Sequence, residues 1–229
     1  MVVKNVDSPA NLENEALSRL TFADCHERLG AIPLDRIRWY PFPGTATEDD
    51  LIRVNERKQG LCELVDGVLV AKAMGATESL LGGYLLRMVG NFAEEHDLGV
   101  VLGEGGMYRF QIGLVRLRDV SFVPWTRLPD DKTPDDAVWV VIPTLTIEVL
   151  SRSNTAAEIE RKIGEYFTAG VKSVWTIEPK KKSARVYSSP TAYKLIDETG
   201  TLDGGKILPG FKLPLKQLFA AGQRRKKGS

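Results

Sequence analysis

Apolar residues fall along this chain in two periods, and each period predicts an element. Glu63-Leu64-Val65 and Val68-Leu69-Val70 flank Asp66-Gly67, the pattern of a tight β-hairpin. From Thr77 to His96 the apolar residues Leu81, Tyr84, Leu85, Met88 and Phe92 recur at helical spacing, and Leu98-Gly99 marks the stop. Strands are predicted at Gly99 to Leu102, Met107 to Ile112 and Leu114 to Val123, the last two joined at Gly113. A hydrophilic turn from Pro129 to Pro134 leads on to Thr144 to Leu150, which is apolar enough for a central strand. Ser153, Asn154 and Thr155 then offer N-caps, Glu158 completes a Thr-x-x-Glu box, and a helix runs to Ala169 before Gly170. A strand at Ser173 to Ile177 completes a strand, helix, strand unit, so the strands of Glu148 and Trp175 should be parallel neighbours. Ala184 to Tyr187, Tyr193 to Ile196 and Lys206 to Leu213 read as closing β-structure. The sum is a mixed β-sheet flanked by two main helices.

Before this core, Thr21-Phe22-Ala23-Asp24 reads as a helix start that Gly30 and Pro33 end, and Arg36 to Thr47 reads as an ordered loop. Residues 1–47 are thus expected to form an appendage, 48–219 the main domain and 220–229 a mobile basic tail carrying Arg224-Arg225-Lys226-Lys227.

Composition narrows the class. With 43% hydrophobic and 27% charged residues the chain reads as globular, and no apolar run approaches the ~20 residues that span a bilayer. The start MVVKNVDSPANLENE lacks the apolar stretch of a signal peptide, so a cytoplasmic protein is expected. Cys25 and Cys62 form no CxxC pair and are expected to be reduced and structural. The formal net charge is +1, so any nucleic-acid contact must rely on local patches.

Two carboxylates interrupt apolar runs. Glu148 sits in Leu-Thr-Ile-Glu-Val-Leu, and Asp119 lies in the middle of Leu117 to Val123; either would cost several kcal/mol if buried alone. On adjacent strands they would be hard oxygen ligands suited to Mg²⁺ or Mn²⁺. The alternative is that a nearby arginine, Arg116 or Arg118, neutralises each. Lys162 falls on the apolar stripe of Ile159, Ile163, Tyr166 and Phe167, either reaching back toward Glu148 or snorkelling at the stripe's edge.

At these residues the chain resembles the Uma family of putative restriction endonucleases, within the PD-(D/E)xK nuclease superfamily, over roughly Ile32 to Phe219. The matching stretches are Arg36-Ile37-Arg38 with Pro43 to Thr47, Glu63 to Gly67, Arg116 to Phe122, Glu148 to Ser151, Lys162 through Val171, and Leu208 to Phe211. The resemblance implies an α/β, restriction-endonuclease-like fold and a nuclease dependent on Mg²⁺ or Mn²⁺ that hydrolyses phosphodiester bonds, with DNA the expected substrate. It makes Asp119 and Glu148 the metal ligands with the Val149 carbonyl as a third, Glu63 a further acid, and Lys162 the electrophilic helper. Three residues depart from the pattern: Arg118 where the motif has proline, Leu150 where it has lysine, and Glu78 where many relatives have histidine. A catalytically silent, nucleic-acid-binding or scaffolding form of the same fold is therefore the alternative. Restriction-type nucleases often act as symmetric dimers, and Trp125 with Trp139 could form such a surface, core packing being the favoured alternative for Trp139. No Gly-x-Ser-x-Gly elbow or phosphate loop offers another hydrolytic chemistry.

Overall fold

The computed structural model describes residues 21–57, 60–73 and 75–222. The basic run Arg224 to Lys227 and the first part of the expected appendage lie outside the described residues. Helix α1 (Phe22–Arg28) starts at Thr21 with the expected capping box, its hydroxyl receiving the Asp24 N–H while the Asp24 carboxylate receives the Thr21 N–H. Helix α2 (Glu48–Glu56), which the sequence reading passed over, is capped in the same way by Thr47 and Asp50. Between them the chain is bound to the core by Arg38 N–H to Leu69 O and Ala46 N–H to Gly67 O.

The hairpin of β1 (Cys62–Val65) and β2 (Val68–Ala71) turns at Asp66-Gly67, both with positive φ, as a two-residue loop of this type requires. Helix α3 (Ala76–Glu95) follows, then β3 (Gly99–Gly103), β4 (Met107–Gln111), β5 (Leu114–Leu117), β6 (Val120–Pro124) and β7 (Val138–Trp139). Next come β8 (Leu145–Val149), α4 (Ala156–Ala169), β9 (Ser173–Glu178), β10 (Ser183–Tyr187) and β11 (Tyr193–Ile196). A small ribbon of β12 (Thr201–Asp203) and β13 (Lys212–Pro214) leads into α5 (Leu215–Phe219).

Where one mixed sheet was expected, two are found. One has the order β2-β1-β5-β4-β7, the other β11-β10-β9-β8-β6-β3. The predicted single strand from Leu114 to Val123 is the reason. It breaks at Arg118-Asp119, so that β5 pairs with β1 in the first sheet while β6 pairs with β3 and β8 in the second. Side chains hold the break open to both sides: Glu63 Oε1 accepts the Leu117 N–H, and Asp119 Oδ2 accepts the Val149 N–H. Period-2 patterning cannot register such a change of sheet, because both halves remain apolar. The predicted strand from Lys206 to Leu213 is likewise only Lys212–Pro214, since the Gly204 to Phe211 segment is a chain of turns.

The second sheet carries the main core. Val120, Phe122, Leu145, Ile147 and Val149 point to one face, where Leu81, Leu85, Val89 and Ala93 of α3 cover them. Thr146 and Glu148 alternate to the other face of β8. There α4 packs with Ile163 and Tyr166 beside Val171, Val174 and Phe110. The parallel pairing of β8 with β9 is as predicted, with Glu148 opposite Thr176. Trp139 is core, packed edge-on against Tyr108, and the half-buried Trp125 donates its indole N–H to Asp97. The two tryptophans therefore do not form the exposed pair expected of a dimer surface.

Candidate active site

Asp119 lies at the break between the sheets, and Glu148 is one residue from the end of β8. Val120 pairs with Ile147 in antiparallel register, so Asp119 and Glu148 fall opposite one another at the next step. The β3–β6 register pairs Gly103 with Val120, and the same single step sets Glu104 beside Asp119. The backbone register thus brings Glu104, Asp119 and Glu148 to the ends of β3, β6 and β8.

The charges around these residues are nearly all met. Asp119 Oδ2 accepts the Val149 N–H at 2.6 Å, and Asp119 Oδ1 lies 2.8 Å from the Lys72 ammonium. Glu148 Oε1 accepts the Tyr166 hydroxyl at 2.7 Å and lies 3.7 Å from Arg118 Nε. Burial, together with the charge of Glu148, pushes the Tyr166 hydroxyl well above its ordinary range despite the opposing pull of Arg118. Tyr166 therefore remains a donor to Glu148. The fully buried Arg118 guanidinium sits 3.7 Å from the Tyr166 ring centre and 4.6 Å from that of Phe110.

Glu63 forms a second knot. Burial alone would raise its pKa, but Lys162, Arg116, Arg118 and Lys72 together hold it well below the carboxylate range. Lys162 Nζ is 3.1 Å from Glu63 Oε2 and 3.9 Å from Glu158 Oε1; Arg116 bridges Glu63 and Glu165. Burial would lower the Lys162 pKa, and the charges of Glu63, Glu148 and Glu158 raise it instead. Glu158 in turn takes both prongs of Arg36, at 2.7 and 2.9 Å. Half of the Thr-x-x-Glu box survives at α4: Thr155 caps the Glu158 N–H, while the Glu158 carboxylate is given to Arg36 and Asn154.

Every candidate from the sequence is therefore buried in one ionic network, which divides into an Asp119 end and a Glu63–Lys162 end. Lys162 faces inward as expected but is paired with Glu63, and Val149 enters through its N–H. Arg118 partners Glu148, as the neutralisation alternative had it; Arg116 serves Glu63. The partner of Asp119 was missed, and so was Glu104. Lys72 directly follows β2, where the alternation of Val68 and Val70 would put it on the same face, a detectable signal. Glu104, in Gly-Glu-Gly-Gly, reads as an ordinary turn residue. No set of three His, Cys, Asp or Glu side chains ready to hold a metal ion is found among the described residues.

A groove of about 700 Å³ opens beside Glu148, at the ends of β8 and β9 and the first turn of α4. Leu150, Ser151, Arg152 and Asn154 form one part of its wall, Lys180, Lys181 and Arg185 another, and Tyr187 with Tyr193 its aromatic side, while Glu78, Glu160 and Glu178 also line it. Arg185 lies over the Tyr193 ring, and Tyr187 and Tyr193 are 5.0 Å apart between ring centres. The buried acids do not line this groove; Leu150, two residues beyond Glu148, does.

The model of the Uma2 family, described as "Putative restriction endonuclease", matches residues 49–216 of the chain. Among solved structures, the fold is similar to that of a putative nuclease belonging to DUF820 from Anabaena variabilis ATCC 29413. The two share 17% identity and superpose with a TM-score of 0.63, covering 71% of this chain and 91% of that one. No curated protein matches.

Proposed function

The chain belongs to the Uma2 family, and from that premise we propose that it is a divalent-metal-dependent nuclease that hydrolyses phosphodiester bonds, with DNA as the first substrate to test. The observation that carries this reading is the placement of Asp119 and Glu148 at the ends of two paired strands, where Asp119 Oδ2 accepts the N–H of Val149, the residue after Glu148, near a groove of mixed charge with an aromatic side. The donor set is entirely carboxylate oxygen, the chemistry Mg²⁺ and Mn²⁺ prefer. Glu104 adds a buried Oε1 that has no hydrogen-bond partner, a lone acceptor beside Asp119. These features fit a hard divalent ion held by Asp119 and Glu148.

The ion's contribution, when bound, would be to polarise a phosphate oxygen and lower the pKa of an attacking water. The remaining work falls to the chain. The Val149 N–H and the Tyr166 hydroxyl fix one oxygen each of Asp119 and Glu148, so neither carboxylate has to reorganise. Lys162 supports Glu148 through charge from behind, acting as a positioning residue. Outside, Arg152, Lys180 and Lys181 offer phosphate contacts, and Tyr193, half exposed, offers a face for a base.

The experiment is incubation of supercoiled plasmid with the protein, with and without Mn²⁺. Cleavage that needs Mn²⁺ and is lost in Asp119→Ala and Glu148→Ala is expected. Plasmid that is bound but left intact would sink the nuclease reading in favour of a silent nucleic-acid binder. That second reading has its own observation: each candidate ligand already has a cation, and Leu150 replaces the motif lysine.

A further inference from the structure

Among the described residues, Lys72 is the cation paired with Asp119. Its side chain is 4% exposed, its Nζ is 2.8 Å from Asp119 Oδ1, and it makes no hydrogen bond of good geometry to any described group. An ammonium held this way is bound chiefly by charge, which a second cation can contest. Its field also reaches Glu104 and Glu63, as the pKa of each carboxyl reflects. Burial raises the Glu104 pKa and the neighbouring charge of Asp119 raises it further, while Lys72 opposes both. The free Glu104 Oε1 and the paired Asp119 Oδ1 thus share one positive neighbour.

We infer that Lys72 is an internal counter-ion of Asp119 and would compete with a divalent cation held there by Asp119 and Glu148. Glu104 becomes a further carboxylate of the site. The physical reason is competition: a buried pair of acids gains most from one compensating cation, and a second arriving cation is repelled by the first. The inference rests on the metal reading of Asp119 proposed above, and it adds that this chain suppresses its own metal affinity. Lys72 lies on β2's continuation in the first sheet, so withdrawal of one residue would open the site without moving the strands that carry Asp119 and Glu148.

The test is binding of Mn²⁺ alone, read by calorimetry and by the rise in melting temperature it causes. Lys72→Met keeps the length of the side chain and removes the charge. It is expected to melt lower than the parent without metal, and to bind Mn²⁺ at least 10-fold more tightly. Adding Glu104→Gln to Lys72→Met should reverse most of that gain. Equal or weaker Mn²⁺ binding by a folded Lys72→Met overturns the inference. If Lys72→Met does not fold, the parent protein decides the matter: Mg²⁺ titration of lysine labelled with ¹³C at its ε-carbon, assigned with Lys72→Arg, should shift the Lys72 signal. A Lys72 signal that stays still while Mg²⁺ binds, or no binding of either ion, overturns it as well. Cleavage is not read, so the two failures remain distinguishable. A protein that behaves as expected here but leaves plasmid intact sinks only the nuclease, and a Mn²⁺-dependent nuclease whose Lys72→Met variant gains no affinity sinks only this inference.

Discussion

Glu63 and Lys162 show how far residue identity alone carries. Lys162 was singled out by its place on the helix stripe and Glu63 by the family resemblance, and both are buried in the ionic network; what the sequence could not show is that they pair with each other. The consequence is energetic. Lys162 was expected to act as an electrophilic helper, but removing it takes the nearest ammonium from a carboxylate of 0% exposure and leaves it to Arg116, Arg118 and the Leu117 N–H. Lys162→Met is therefore expected to cost about 3 kcal/mol in urea denaturation, the lower end for breaking a buried pair, because Arg116 remains. A loss below about 1 kcal/mol would mean that Glu63 is held by Arg116 alone. The pH dependence follows from the direction of the Glu63 shift. Its folded pKa lies below the ordinary 4.5, so the stability it contributes is complete above that value and fades as pH falls below it. For Lys162, raised above 10.5, the contribution is complete below that value and is lost as pH rises through the folded pKa. The stability gap between the parent and Glu63→Gln should consequently be constant near neutral pH and narrow below about pH 4.5. A gap unchanged down to pH 3 would exclude a charged Glu63 as its source.

At the scale of elements, the helices, the hairpin and the parallel β8–β9 pair were legible because each has a local signature. Caps, an Asp-Gly turn and a helical stripe are written within a few residues of where they act. The break at Arg118-Asp119 was not legible, because what causes it is distant: Glu63 and Val149 supply the partners that let the chain leave one sheet and join another. Helix α2 was missed although Thr47 and Asp50 make the same box that was recognised at Thr21, since its only buried residue is Leu51 and its apolar stripe is thin. The caps also separate conformational strain from crowding. Gly170 ends α4 at φ 104° with open space around it, so Gly170→Ala should cost only the backbone term, about 1–2 kcal/mol. Gly67→Ala at φ 73° would place its methyl carbon 2.6 Å from Gly44 O, and should cost more. Thermal melting of the two variants checks the order, and equal losses would remove the Gly44 contact from the argument.

For the whole molecule, the balance of 31 basic and 30 acidic residues means that no broad field draws it to nucleic acid. On the reading proposed above, attraction would come from the groove, where Arg152 and Lys180 are exposed, while Lys181 and Arg185 share Glu178 and the walls also carry Glu78 and Glu160. The sequence showed neither the groove nor this grouping, because its basic residues come from the loop after β8 and the turn after β9, some 30 positions apart along the chain but joined by the parallel pairing. Phosphate contacts carry a quantitative signature: each one removed lowers the slope of log K against log salt by about 0.7 to 0.9. Arg152→Ala with Lys180→Ala is thus expected to flatten that slope by roughly 1.5 for a DNA oligonucleotide, with the same loss on every base sequence. Tyr193→Ala should behave differently. If a base stacks on its ring, affinity for single strands falls by about 1–3 kcal/mol while the salt slope stays as it was. Fluorescence anisotropy over a salt series separates the two effects in one set of titrations. A salt slope untouched by the double variant would place the nucleic acid elsewhere on the molecule, whatever the plasmid assay finds.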